Sequence, residues 1–257
     1  VLALKSGKGV VLLGPAGVGK SHLLARFSRW AHGDDPGATM IFLHNLLAAP
    51  DRIPRYLLTS TLSVLSGGRR GDYGDCGLAR LWDGAVRAEL GLAEEATIDL
   101  KRAEQALEGL AGAGTPLDRA IRQVLLRVGL NMHRVAEEAP NASVPTIEAG
   151  LDWLSGEPLE PEQAELLRLP SPGELAGGLR DNQDVERVFR VLAEMSARAG
   201  RPLVLALDQV DNLSEAQVRE TTRFLHVLID HTPSFLCVLS GVDTNIIPLV
   251  DDGVITE

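Results

Sequence analysis

One short segment constrains this chain more than any other. The apolar run Val10-Val11-Leu12-Leu13 leads straight into Gly14-Pro15-Ala16-Gly17-Val18-Gly19-Lys20-Ser21, and Leu23, Leu24 and Phe27 then recur at helical spacing. A short apolar run, β-branched at its start and closed by glycine, predicts a buried strand. The G-x-x-x-x-G-K-[ST] spacing that follows has a physical reason at each fixed position. Glycines let the backbone wrap an anion with its N–H groups pointing inward. The N-terminus of the next helix adds its dipole. In such loops the lysine, here Lys20, reaches the β- and γ-phosphates, and the hydroxyl of Ser21 is a ligand for Mg²⁺. The candidate nucleotide-contacting residues are therefore Gly14, Pro15, Ala16, Gly17, Val18, Gly19, Lys20, Ser21 and His22. The competing account is a glycine-rich turn that merely joins strand to helix; the strand–loop–helix context weighs against it.

Further strands and helices follow in alternation. Met40-Ile41-Phe42-Leu43 reads as a strand closed by the polar His44-Asn45, and Arg52 to Leu65 as a helix with Pro54 in its first turn. Val185, Val188, Phe189 and Leu192 make a helical stripe that starts near Asp181. Leu203 to Leu207 is an unbroken apolar strand ending at Asp208, Ser214 is a helix cap, and Phe235 to Leu239 is the next strand. Strands alternating with helices predict a mostly parallel sheet, hence an α/β fold. Between about 67 and 180 the pattern is helical throughout. It opens on a glycine-rich loop carrying Arg69-Arg70. Leu100, Ala103, Leu107 and Leu110 form one amphipathic face; Leu117, Ile121, Val124, Leu125 and Val128 form another. Prolines 140, 145, 158, 161, 170 and 172 divide the remainder into short helices and turns.

Phosphoryl transfer needs an acidic side chain at a neighbouring strand end to hold hydrated Mg²⁺, and Asp208 fits that requirement. The plainer account of Asp208 is a strand-terminal aspartate that caps a turn. Here the residues resemble a family. Leu203 to Asp211, LVLALDQVD, is similar to the Walker B segment of AAA+ and related STAND ATPases, whose pattern is apolar residues followed by D-E-x-D. One position departs: Gln209 stands where that family has its catalytic glutamate. An amide orients water but does not take its proton at neutral pH. Asp211 is the nearest spare carboxylate. The resemblance implies a polar sensor at the end of the next core strand, where Ser240 stands ahead of Asp243, Thr244 and Asn245. It also implies a three-layer P-loop NTPase fold with strand order 5-1-4-3-2, covering about 1–66 and 181–245. Strand 5 and a helical lid are not evident before Glu257. The run Leu151 to Leu169, with the DQVDNL segment, resembles the origin-recognition-like branch found in bacterial conflict systems.

Composition bounds the rest. Of 257 residues 45% are hydrophobic and 23% charged, which suits a globular chain rather than a disordered tail or rod. No apolar stretch reaches the roughly 20 residues that span a bilayer. With 35 acidic against 25 basic residues, the net charge of -10 excludes a general nucleic-acid coat. Arg119, Arg122, Arg127 and Arg134 still leave a local phosphate-contacting face open, against the commoner account of solvated arginines. Cys76 and Cys237 form no disulfide framework, and nothing at the N-terminus reads as a secretory signal, so a cytoplasmic home is expected. A chain running from Val1 to Glu257 without an initial Met reads as part of a longer protein. Trp30, Trp82 and Trp153 read as core or interface anchors, and the six histidines offer no metal-ligand spacing.

The sequence thus predicts one P-loop ATPase domain with a helical insertion at about 67–180, binding ATP and Mg²⁺. Lys20, Asp208, Gln209 and Ser240 are its candidate catalytic residues, and Ser21 and Asp208 its metal ligands. ATP binding or hydrolysis would drive conformational change in an assembly formed by self-association or with a partner protein, with nucleic acid as a further candidate partner. A switch that binds ATP without hydrolysing it and a P-loop kinase are the alternatives.

Overall fold

The protein is described by a computed structural model covering residues 6–31, 37–67, 73, 76–93, 96–99, 101–103, 105, 114–137, 140–169, 175 and 178–246. Its chain forms two compact units, Val1–Thr61 with Arg201–Glu257, and Leu62–Gly200.

The first unit holds β1 (Lys8–Gly14), α1 (Lys20–Ala31) and β2 (Thr39–His44). A 3-10 turn (Pro50–Arg52) follows and leads into α2 (Ile53–Leu65), within which the unit boundary falls. The four strands are parallel and ordered β1-β4-β3-β2, where β3 is Leu203–Asp208 and β4 is Phe235–Val242. This is the 5-1-4-3-2 order without strand 5; residues 247–257 lie outside the described residues. β3 lies between neighbours and is buried along its whole length, which explains a run without a polar residue before Asp208.

Strand periodicity sorts the remaining side chains onto two faces. Leu12, Met40, Phe42, Val204, Ala206, Leu236 and Val238 share one core cluster with Leu24 and Ala31 of α1. A Cβ at Gly9, one residue out of step with that face, would lie 3.2 Å from Ile229 Cδ1 in the helix Glu215–His231. One helix therefore covers each face, giving a helix–sheet–helix sandwich. Ser214 caps the second of these helices as expected, with Gln217 completing a capping box. β1 is the outer strand of the described sheet, and it leaves Val10 and Val11 about half exposed.

The second unit is helical: α3 (Gly77–Leu90), α4 (Pro116–Glu137), α5 (Pro140–Ser155), α6 (Pro161–Leu166) and α7 (Asn182–Arg198). The helix Glu215–His231 is accordingly α8. The amphipathic face around Val124 holds, with Ile121, Val124, Leu125 and Val128 fully buried. Of the face around Leu107, Ala103 is described and fully buried; Leu100, Leu107, Leu110 and the Arg69-Arg70 loop lie outside the described residues. Pro145 does not divide its segment, because α5 runs through it. α3 and α4 approach closely because position 129 is glycine; a Cβ there would collide with Trp82. Trp82 and Trp153 are core anchors with no exposure, whereas Trp30 is 58% exposed.

The helical unit reaches further than the expected insertion. α7 belongs to it, held by Arg122–Glu194 at 2.7 Å and by Arg187 and Arg190 on Asp118. No helix among the described residues is long and apolar enough to cross a membrane.

Candidate functional site

All strands run parallel, so their C-terminal ends lie along one sheet edge, the usual place for a ligand crevice in an open α/β sheet. The segment from Gly14 to Lys20 connects β1 to α1 at this edge. Gly17 and Gly19 have φ of 80° and 100°, values that a side chain would strain. A Cβ at either position would meet no atom within 4 Å, so backbone conformation and not crowding requires glycine there. Lys20 folds back over the loop, and its Nζ donates to Gly14 O at 2.7 Å and Pro15 O at 2.9 Å. Pro15 O also accepts from Val18 N at 3.4 Å, closing the turn. Ser21 and His22 follow Lys20 in the first turn of α1; Ser21 is half-buried and His22 exposed.

The sheet register then aligns three polar side chains. Ser240 pairs with Leu12 across β1 and β4, and His44 pairs with Asp208 across β2 and β3. One step beyond the Leu207–Leu239 pair, Asp208 comes level with Ser240. Leu12, Ser240, Asp208 and His44 thus form one row across four strands, and by parity all lie on the face covered by α1. The sequence identified Ser240 and Asp208 but missed His44. The available signal was the polar end of the Met40 strand, which has meaning only once β2 is known to lie beside β3.

Asp208 is 3% exposed, and its Oδ2 lies 3.1 Å from His44 Nδ1, within hydrogen-bond distance. The other ring nitrogen, Nε2, lies 3.1 Å from Gln209 Nε2, and Gln209 Oε1 accepts from Asn212 Nδ2 at 3.1 Å. Gln209 itself has a φ of 60°, a left-handed conformation that costs a non-glycine residue about 1–3 kcal/mol. Its side chain lies between His44 and Asn212.

Asp211 also has a structural contact. Its Oδ1 accepts from Val242 N at 3.0 Å and so ties the turn after β3 to the end of β4. Ser240 is fully buried, and its Oγ has no hydrogen-bond partner among the described residues. A buried hydroxyl without a partner costs about 1–3 kcal/mol. Placed this way, Ser240 touches a ligand at the edge only if the residues over it move. Asp243, Thr244 and Asn245 lie in the helical turn that follows β4.

No family model, no curated protein and no solved structure matches this chain. Glycines with positive φ, an ammonium held over the loop and a buried carboxylate on the same sheet edge form a donor set that fits a phosphate with its divalent cation. Among the described residues no three His, Cys, Asp or Glu side chains form a cluster that could hold a metal by themselves. A Ser–Asp pair completing its shell with phosphate oxygens and water has no such cluster.

Proposed function

We propose that the sheet-bearing unit is an ATP-binding domain of the AAA+/STAND type with a three-layer P-loop fold, and that ATP binding or hydrolysis drives conformational change in a larger assembly. The observation that carries this reading is a coincidence of position: the G-x-x-x-x-G-K-S loop and Asp208 share one edge of a parallel sheet ordered β1-β4-β3-β2. A turn that merely joined strand to helix would need neither Lys20 on its carbonyls nor a buried aspartate on a nearby strand.

In this reading the loop backbone and Lys20 hold the phosphates, with the Lys20 ammonium leaving Gly14 O and Pro15 O for phosphate oxygens. Ser21 and Asp208 hold the magnesium shell. Magnesium, when bound, neutralises phosphate charge and fixes phosphate orientation. Gln209 orients water without taking its proton.

The second reading, a switch that holds ATP and hydrolyses little, is favoured by a specific observation. The Gln209 amide is already engaged at both ends, by His44 and Asn212. Phosphate release from MgATP by the chain, beside Lys20→Ala and Gln209→Glu and with or without DNA, separates the two. Turnover that disappears in Lys20→Ala supports the hydrolysing form, and stimulation by DNA would name nucleic acid as the partner. ATP binding without turnover, with turnover gained in Gln209→Glu, supports the switch. Turnover or binding indifferent to Lys20→Ala would contradict both.

A further inference from the structure

We infer that His44 is a positioning residue that sets the orientation of both the Asp208 carboxylate and the Gln209 amide, an inference that rests on the nucleotide-site reading above. Donors and acceptors place the ring proton. Gln209 Oε1 accepts from Asn212 Nδ2, so the Gln209 NH₂ group is the end that faces His44. A donor 3.1 Å from Nε2 requires a lone pair on that nitrogen, so the ring proton sits on Nδ1. Nδ1–H is then the donor to Asp208 Oδ2 at 3.1 Å. The hydrogen bonds therefore run in one direction, from Asn212 through Gln209 and His44 to Asp208, and end on the carboxylate.

A plain surface histidine would explain neither feature. The side chain is 48% exposed, yet both of its nitrogens are engaged and its backbone is the ladder partner of Asp208. Histidines and carboxylates that bond to a metal's ligands fix those ligands in orientation, and their loss lowers metal affinity or activity by about 10–100-fold. His44 stands in that relation to Asp208. Through its other nitrogen it also holds the amide that replaces the family's glutamate.

Two measurements test this. In the nucleotide-free chain, ¹⁵N spectra of the imidazole should show His44 as the Nδ1–H tautomer, and Gln209→Ala should shift the Nε2 resonance. Fluorescent ATP analogue titrated with Mg²⁺ should then require about 10–100-fold more Mg²⁺ for half-maximal binding in His44→Ala. His44→Asn, whose amide N–H can still reach Asp208, should recover most of that loss while leaving Gln209 unheld. Lys20→Ala should weaken binding both with Mg²⁺ and in EDTA, which separates the loop from the metal side. An Nε2–H tautomer, or an unchanged Mg²⁺ dependence in a folded His44→Ala chain that binds ATP, overturns the role of His44 alone. A wild-type chain that binds no ATP analogue overturns the nucleotide-site reading and this inference with it.

Discussion

His44 Nδ1 and Asp208 Oδ2 stand 3.1 Å apart as ladder partners at the ends of adjacent parallel strands. The contact depends on register. A slip of one residue between β2 and β3 would turn one of the two side chains to the opposite face of the sheet. The apolar rows Met40–Val204 and Phe42–Ala206, packed in one core cluster, fix that register, so packing of the interior determines which polar groups meet at the edge.

In the helical unit, Asp118 is the charge on which two arginines converge. Its side chain is 7% exposed and accepts from Arg190 Nη2 at 2.8 Å, Arg187 Nη1 at 3.3 Å and Thr115 Oγ1 at 2.8 Å. Burial pushes this carboxyl up, but the Thr115 amide and hydroxyl and the two guanidiniums pull it further down, leaving it below its ordinary 3.8. A depressed folded-state value contributes stability that is complete above the unfolded value and is lost as pH falls through the folded one. Asp118→Asn should lower stability by about 2 kcal/mol at neutral pH. The gap to wild type should narrow only below pH 3.8, as read from denaturant midpoints across pH. A gap that narrows well above that value would contradict this account.

Both cysteines are buried and free. Burial pushes the Cys237 thiol up to about 12 and raises Cys76 as well, and the thiolate is the reactive form. Native protein at pH 8 should therefore resist alkylation at both thiols, with two equivalents reacting after denaturation. Rapid labelling of Cys237 in the folded chain would contradict the placement of that side chain in β4.

Gly19→Ala tests the loop separately from any ligand. With φ at 100° and open space where the Cβ would lie, the cost is backbone strain alone, about 1–2 kcal/mol. A lower urea midpoint with unchanged slope is the expected result. An unchanged midpoint would mean that the loop adopts another conformation.

The elements with local signals were legible in the sequence. Leu203 to Leu207 is an unbroken apolar run and forms the strand that ends at Asp208; Ser214 reads as a helix cap and caps α8. The Gly14–Ser21 loop and Asp208 were legible for the same reason, since spacing and strand ends are written along the chain. The pairing of His44 with Asp208 was not, because the two residues are 164 positions apart and only the sheet order joins them. Asp211 read as a spare carboxylate because nothing local signals that β4 ends against it. Pro145 read as a break, yet α5 accommodates it five residues in, where the missing N–H costs a single helical bond. The amphipathic stripe of α7 was plain, but its grouping with the helical unit was not, since Glu194 meets Arg122 and Arg187 and Arg190 meet Asp118 about seventy positions away.

Gly14 to Ser21 and Asp208 are proposed to form one nucleotide site. Calorimetric titration of the chain with MgATP tests it most directly, run beside Lys20→Ala and Asp208→Asn. The account predicts saturable binding by the wild type, loss of at least tenfold in affinity in Lys20→Ala, and weakening in Asp208→Asn that disappears when Mg²⁺ is chelated. Equal affinity in all three proteins, or no binding by the wild type, would contradict it.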